Sequence, residues 1–129
     1  MRMLSARTRR ELERRDDEWV KKARELVQTL GKGDKERQLR NIQNVAEESH
    51  SWQAVSLFIR YQAARGQLDK TWAENTITLL EGLQNDAQGL VGSSNSEQVK
   101  DVHLELVART LGYAVRWHVW DMKDRERAA

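Results

Sequence analysis

The chain contains no proline and only seven glycines among its 129 residues. Proline and glycine are the residues that most often mark turns and interrupt regular segments. A chain almost without them has few places at which it can turn sharply, so long regular segments must make up most of it. Apolar residues recur at spacings of three and four along most of the sequence, which is the period of a helix. We therefore predict an all-α fold, a compact bundle of about five helices.

The glycines and the apolar stripes between them define five helical segments. Gly31 and Gly33 end the first segment, Gly66 ends the third, and Gly89 and Gly92 follow the fourth. The predicted helices begin near residues 5, 35, 52, 70 and 97. Residues 88–96 are rich in Gly, Ser and Asn, which favour turns, so we expect the longest loop of the chain there.

Short polar residues stand just before three of these helices. They are Asp34, either Ser49 or Ser51, and Asp69. Such side chains accept a hydrogen bond from a backbone N–H of the first turn, which satisfies one of the free donors at a helix N-terminus. We predict that they fix where the second, third and fourth helices begin.

The last helix is apolar on two sides. One side carries Val102, Leu106 and Trp117, and the other carries Leu104 and Leu111. A helix with two apolar sides has to be buried on both of them. We therefore place this helix at the centre of the bundle.

All five tryptophans fall on apolar stripes. They are Trp19, Trp52, Trp72, Trp117 and Trp120. Large aromatic side chains supply much of the buried surface of a small core, so we predict core positions for them. Trp120, near the end of the last helix, is the expected exception.

The length of the chain supports one domain, so we treat residues 1–129 as a single helical unit. Residues 1–17 are almost wholly charged, and we expect them to project into solvent or onto a partner. Residues 121–129 form a second charged stretch, which we expect to fray at the end of the last helix.

Composition argues against several classes of protein. The chain has no cysteine, which excludes disulfides, thiolate zinc sites and thiol nucleophiles. Apolar residues nowhere run for the roughly 18 positions that a membrane span needs. Glu11 and Glu13 in the arginine-rich start are atypical of a transit peptide. We therefore expect a cytoplasmic protein without a membrane segment.

The residues that most often catalyse reactions occur here without the spacing of an active site. His50, His103 and His118 lack partners at the helical spacings that would place two metal ligands together. We expect His50 in a turn, His103 exposed and His118 packed inside a helix. Glu47 and Glu48 are adjacent, so on a helix they point about 100° apart and cannot flank one bond. We predict a protein that is not an enzyme and that binds no cofactor and no metal.

One glycine-rich segment invites comparison with phosphate-binding loops. Residues 31–35, Gly-Lys-Gly-Asp-Lys, precede a predicted helix, whose first N–H groups are able to bind an anion. The segment lacks the preceding strand and the spacing of a P-loop. We interpret it as the end of one helix and the start of the next.

Positive charge is concentrated in the first half of the chain. Residues 1–70 contain 16 Lys and Arg against 11 Asp and Glu, a net charge of +5, whereas residues 71–129 contain 6 against 9, a net charge of −3. Cations gathered on one part of a small domain are typical of proteins that neutralise phosphates. One cluster is the arginine-rich start, for which a solvated helix with internal ion pairs is an equally good interpretation.

A second cluster lies on the second and third helices. Several of its members lie opposite the apolar stripes of these helices. Ser56 is predicted to lie on the same polar face. If the two helices pack as an antiparallel hairpin, their polar faces would form one basic strip suited to a nucleic-acid backbone. The predicted nucleic-acid-binding residues are Arg37, Arg40, Asn44, Arg60, Arg65 and Lys70.

Two stretches of this region also resemble a known family. Residues 37–46, RQLRNIQNVA, and residues 57–65, LFIRYQAAR, followed by Trp72, resemble the small helical subunits of type III CRISPR effector complexes. The resemblance covers about residues 37–72. It implies a basic, non-catalytic subunit of a ribonucleoprotein complex, present in several copies that line up as a filament beside other subunits. It also implies that Arg37, Arg40, Arg60 and Arg65 contact the backbone of a guide RNA and of target RNA or DNA.

Two other functions stay open. The chain is alternatively a helical adaptor or oligomerisation module that recognises another protein through its charged first helix or its two-sided last helix. A small metal-dependent hydrolase is the third hypothesis, and it requires the three histidines to meet in space.

Overall fold

The computed structural model describes residues 4–92 and 96–128 and contains six helices in these ranges. They are α1 (Ala6–Arg14), α2 (Asp16–Gln28), α3 (Glu36–Glu48), α4 (Trp52–Ala64), α5 (Lys70–Val91) and α6 (Ser96–Ala128). The described residues include no strand. The predicted all-α fold is therefore confirmed, and the expected number of about five helices is close, because the first predicted helix is divided into two.

The division falls at Arg15. Its backbone, with φ −100° and ψ 13°, departs from helical geometry, and its N–H still bonds the carbonyl oxygen of Glu11 at 3.2 Å. A new helix begins at once with Asp16, Asp17 and Glu18 in its first turn. Carboxylates there interact favourably with the positive end of the helix dipole. The chain thus changes direction without needing a glycine or a proline.

Helix α1 packs onto the bundle, so the prediction that residues 1–17 project from it is wrong for the described part of this segment. Leu12 is 1% exposed and Thr8 is also buried, and α1 lies against α5 and α2. Leu4 packs against the core as well. Burying one leucine side chain stabilises a fold by about 1.5–3 kcal/mol, so Leu12 contributes to holding α1 on the bundle.

Two of the predicted caps are confirmed. Ser51 accepts the N–H of Ala54 at 3.1 Å, and Asp69 accepts the N–H of Trp72 at 3.0 Å, so these side chains position the starts of α4 and α5. The predicted cap Asp34 is displaced by one residue, because Lys35 is the N-terminal cap of α3 and makes no side-chain capping bond. Asp34 instead accepts the N–H of Glu36, the first residue of α3, at 2.9 Å.

Helix α6 lies at the centre of the bundle, as predicted. It packs against α2, α3 and α5, and its buried residues are distributed around most of its circumference. Leu106, Leu111 and Ala114 are fully buried. The indole N–H of Trp117 donates to the backbone carbonyl of Val20 at 3.0 Å, which fastens α6 to α2.

Two predicted irregular segments are more helical than expected. Helix α5 continues through residues 88–91, where Leu90 is buried, and Gly92 ends it with a positive φ of 65°. The remainder of the expected loop includes residues 93–95, which lie outside the described residues. Residues 121–128 continue α6, and Asp121 anchors this stretch through an ion pair with Arg24 at 2.8 Å.

The tryptophans follow the prediction. Trp19, Trp52 and Trp72 are buried, Trp117 is partly buried, and Trp120 is 56% exposed. In the described ranges, no helix combines the length with the apolar character that crossing a membrane requires.

Candidate functional site

All six predicted nucleic-acid-binding residues are exposed. Helix α3 carries Arg37, Arg40 and Asn44, and helix α4 carries Arg60. Arg65 is the C-terminal cap of α4, and Lys70 is the first residue of α5. The structure divides these residues among three places and does not join them into one strip.

Arg40 lies on the side of α3 that borders α6. Residues 36, 40, 43 and 47 form one row along the helix. In this row the side-chain amide of Gln43 lies against Gly112 of α6, and Arg40 pairs with Glu36 at 2.7 Å. The opposite side of α3 faces the connection after α4, where Gln38 donates to the side chain of Gln67 at 3.2 Å.

Arg60 lies on the other edge of the helical hairpin. It follows Gln53 and Ser56 in one row of α4, and Gln53 lines a cleft together with Gln84 of α5. Ser56, which we expected on the polar face, is buried, and its hydroxyl accepts a hydrogen bond from Arg60. Arg40 and Arg60 are therefore separated by the width of the hairpin.

Three of the predicted residues do come together where α3 begins and α4 ends. The Nζ of Lys35 donates to the backbone carbonyl of Gln67 at 3.3 Å, which joins the start of α3 to the connection between α4 and α5. Four further cations lie within three positions of Lys35 or of Gln67 in the sequence. We call this group the basic end, and it consists of Lys32, Lys35, Arg37, Arg65 and Lys70.

Carboxylates of the same region are already engaged. Asp34 accepts the N–H of Glu36 and lies 3.6 Å from Nε2 of His118. Glu36 pairs with Arg40, and Asp69 caps α5. None of the cations of the basic end forms an ion pair with a described residue. Its positive charge is therefore directed to solvent.

Two helix N-termini reinforce this charge. Both α3 and α5 begin at the basic end, one on each side of the Lys35–Gln67 contact. A helix N-terminus carries the equivalent of about half a positive charge. The backbone N–H of Lys35 is held by Nε2 of His118 at 2.9 Å, so α6 fixes the position of this terminus.

Sequence reasoning missed Lys32 and Lys35 as members of the site. The signal was present in the glycine-rich segment 31–35, which we interpreted as a helix boundary. Both glycines have a φ of +92°, a left-handed conformation that favours glycine. The boundary interpretation is correct, and the same turn places two lysines beside the α4–α5 connection.

Arginines of the N-terminal region have a different environment. Arg15 pairs with Glu18 at 2.8 Å and with Asp86 of α5 at 3.3 Å, and Arg24 pairs with Asp121 of α6. The bonded Arg15 guanidinium holds the pKa of the Glu18 carboxyl below its usual range. These side chains connect helices to one another.

The histidines do not meet. His50 is exposed in the connection between α3 and α4, and His118 is buried in α6, both as expected. His103 was expected to be exposed, but it is only 2% exposed because it sits between Trp52 and α5. Its Nε2 bonds the backbone carbonyl of Leu80 at 2.9 Å, and burial lowers the pKa of its imidazole. The described residues contain no cluster of three groups able to hold a metal ion.

A cleft of about 610 Å³ lies between the start of α4, α5 and the start of α6. Its polar lining includes the carboxamides of Gln53, Gln84, Asn85 and Gln88 together with His50, His103 and Lys100. The Nε2 of His103 is already bonded to the carbonyl of Leu80.

Comparisons of the chain with family models, with curated proteins and with solved structures gave no match.

Proposed function

We propose that this chain is a non-catalytic subunit of a ribonucleoprotein complex and that its basic end holds the sugar–phosphate backbone of RNA. The observation that supports this proposal best is the charge of the basic end. Five cations lie there without an ion pair to any described residue, while Asp34, Glu36 and Asp69 are engaged in backbone hydrogen bonds and in one local pair.

The chemistry of these side chains suits phosphates more than bases. Guanidinium groups bind phosphate oxygens through two parallel N–H bonds, and ammonium groups act as point charges. Contacts of this kind position a strand without reading its sequence. Binding should therefore depend strongly on salt, since each neutralised phosphate releases counterions.

We extend the proposal to one kind of complex because residues 37–72 resemble the small subunits of type III CRISPR effector complexes. In that setting several copies line up beside a guide RNA paired with its target. Charge supports such an arrangement, because residues 71–99 contain no Lys or Arg and α5 exposes Glu74 and Glu81. A positive region on one copy and a negative region on the next favour a head-to-tail contact, which extends into a filament.

A charge-removal experiment tests the site. The triple variant Arg37→Ala, Arg65→Ala, Lys70→Ala removes three exposed cations that make no ion pair within the described part of the chain. Its matched control is Arg7→Ala, Arg9→Ala, Arg10→Ala, which removes the same charge from exposed positions of α1. Binding of a fluorescein-labelled 20-nucleotide single-stranded RNA is measured by anisotropy across a salt series.

We expect the basic-end variant to lose affinity and to lower the slope of log K against log salt by about two, since each of three phosphate contacts with a single strand contributes about 0.7 to the slope. The control variant should retain most of both. Equal losses in the two variants would contradict the assignment of the site. A wild-type chain that binds no RNA, or binds it without salt dependence, would contradict the function.

The adaptor function is the second candidate, and the exposed Trp120 favours it. Exposed tryptophans are frequent among the residues that contribute most to protein interfaces. A wild-type chain that self-associates in sedimentation velocity and binds no RNA would support this function over the first.

A further inference from the structure

The outer face of α4 carries two large side chains that the core does not bury. Leu57 is 66% exposed and Tyr61, one turn later, is 53% exposed, whereas Val55 and Ile59 on the inner face are fully buried. Trp120 is the one other large hydrophobic residue with comparable exposure among the described residues. The outer face of α4 thus presents an aromatic ring beside an aliphatic side chain.

Within α4 and the residues that flank it in the chain, the charge has a single sign. Residues 49–68 contain no Asp or Glu, and Arg60 and Arg65 are their only Lys or Arg residues. The Arg65 guanidinium lies 5.4 Å from the centroid of the Tyr61 ring. An exposed aromatic ring beside a guanidinium group, on a helix without a carboxylate, is complementary to a nucleotide.

We propose that an unpaired nucleotide of a single-stranded RNA stacks on Tyr61, with Leu57 packing beside the base and with Arg60 and Arg65 holding the flanking phosphates. This inference rests on the proposed function, because it assigns a ligand class to a surface that continues the basic end. Arg65 belongs to both surfaces, so one strand is able to contact them in succession.

The size of the exposed patch favours a base over a protein surface. A stable protein interface buries about 800 Å² on each partner. Two neighbouring side chains on one helix offer much less than this area, whereas one stacked base needs only one ring. Stacking on an aromatic side chain tolerates any base, since every base has a π-face.

The proposal predicts a preference for single strands. In a duplex both faces of an internal base are covered by its neighbours, so such a base is not available to Tyr61. The phosphates of a duplex remain available to the basic end. Single-stranded and double-stranded RNA should therefore respond differently to changes at Tyr61.

Tyr61→Ala, Tyr61→Phe and Leu57→Ala are compared with the wild-type chain for binding a 20-nucleotide RNA and the blunt duplex of the same sequence. Trp120→Ala is the control. It also removes an exposed aromatic side chain, but this side chain belongs to α6, which packs against α2, α3 and α5, and not to the outer face of α4. We expect Tyr61→Ala to weaken single-strand binding about tenfold or more, the effect of losing one stacked base. Tyr61→Phe and Trp120→Ala should bind as the wild type does, and duplex binding should be unchanged throughout.

A direct readout of stacking is the fluorescence of 2-aminopurine placed within the single strand. Wild-type protein should change this fluorescence on binding, and Tyr61→Ala should not. Unchanged single-strand affinity in Tyr61→Ala, or an equal loss for the duplex, overturns this proposal. The basic-end function still stands in that case if the triple variant loses affinity.

The alternative occupant of the outer face of α4 is a second copy of the chain. If Tyr61→Ala and Leu57→Ala abolish self-association in sedimentation velocity and leave RNA affinity unchanged, the face is a protein interface and the base-stacking proposal is overturned.

Discussion

The two arginine-rich regions of the chain differ in what surrounds their charges. In the N-terminal region Arg15 and Arg24 pair with carboxylates of other helices, and Arg24 also lies 4.7 Å from the centroid of the Trp117 ring. At the basic end Arg37 and Arg65 pair with no described carboxylate. The number of arginines is therefore a poor guide to function, and the pairing of each arginine is a better one.

Paired and unpaired arginines also differ in what they contribute to the stability of the fold. A half-buried cation that loses its carboxylate is left without a partner in a region that water reaches poorly, which is unfavourable. An exposed cation without a partner stays hydrated and contributes little to the stability of the fold. Arg15 and Arg24 accordingly stabilise the bundle, while the arginines of the basic end remain available for a ligand.

Leu12→Ala should have the largest effect on the N-terminal side of this comparison. Leu12 is 1% exposed and attaches α1 to the bundle, so its truncation should lower the free energy of unfolding by about 2–4 kcal/mol. Urea denaturation followed by circular dichroism measures the change. Leu57→Ala, which truncates an exposed leucine, is the control and should change stability by less than about 0.5 kcal/mol. A similar small change in both variants would mean that α1 does not belong to the cooperative fold.

Asp16→Ala should have the next largest effect. Asp16 accepts a bond from Arg109 at 3.2 Å and another from the hydroxyl of Tyr113, so its removal leaves both donors without this partner. We expect a loss of about 1–2 kcal/mol in the free energy of unfolding. Arg37→Ala removes a charge from the basic end and should stay within about 0.5 kcal/mol. Equal losses would contradict the division between structural and available charges.

Acidification should have the smallest effect. It should lower the stability of the fold and leave the affinity of the basic end for RNA unchanged. Burial lowers the pKa of His103, so the unfolded chain, with an ordinary imidazole pKa of about 6.5, binds its proton more readily than the folded chain does. The contribution of the neutral imidazole to stability is complete above about pH 6.5 and decreases as the pH falls toward the lower folded pKa.

Urea denaturation between pH 7.5 and 5.5 measures this effect. Stability should fall with pH in the wild-type chain and fall less steeply in His103→Leu, whatever the overall stability of that variant. RNA affinity of the folded wild-type chain should not decrease over the same range. An unchanged slope in His103→Leu would assign the pH dependence to other groups.

Local features of the fold could be predicted well. The helical period, the caps Ser51 and Asp69 and the central position of the last helix all follow from short-range patterns, and the structure agrees with them. The break at Arg15 was missed because no glycine or proline marks it. The continuation of α5 through residues 88–91 was missed because Leu90 finds a buried position that composition does not reveal.

The candidate site could be predicted only in part. Arg37 was identified by its position opposite apolar residues, which depends on helical period alone, and Arg65 and Lys70 by their position in the connection after the third predicted helix. Their proximity to Lys35 depends on how α3 packs beside the α4–α5 connection, and Arg40 pairs with Glu36 in another row of α3. His103 was misplaced for the same reason, since α4 and α5 cover a residue that looked exposed along its own helix.

The sequence by itself determined that this chain is helical, where most of its helices begin and which of its sides are apolar, because these properties depend on neighbours within one or two turns. Only the tertiary structure decided which charges are neutralised and which remain open to solvent. Ion pairs such as Arg15–Asp86 and Arg24–Asp121 join residues far apart in the chain, and no local pattern records them.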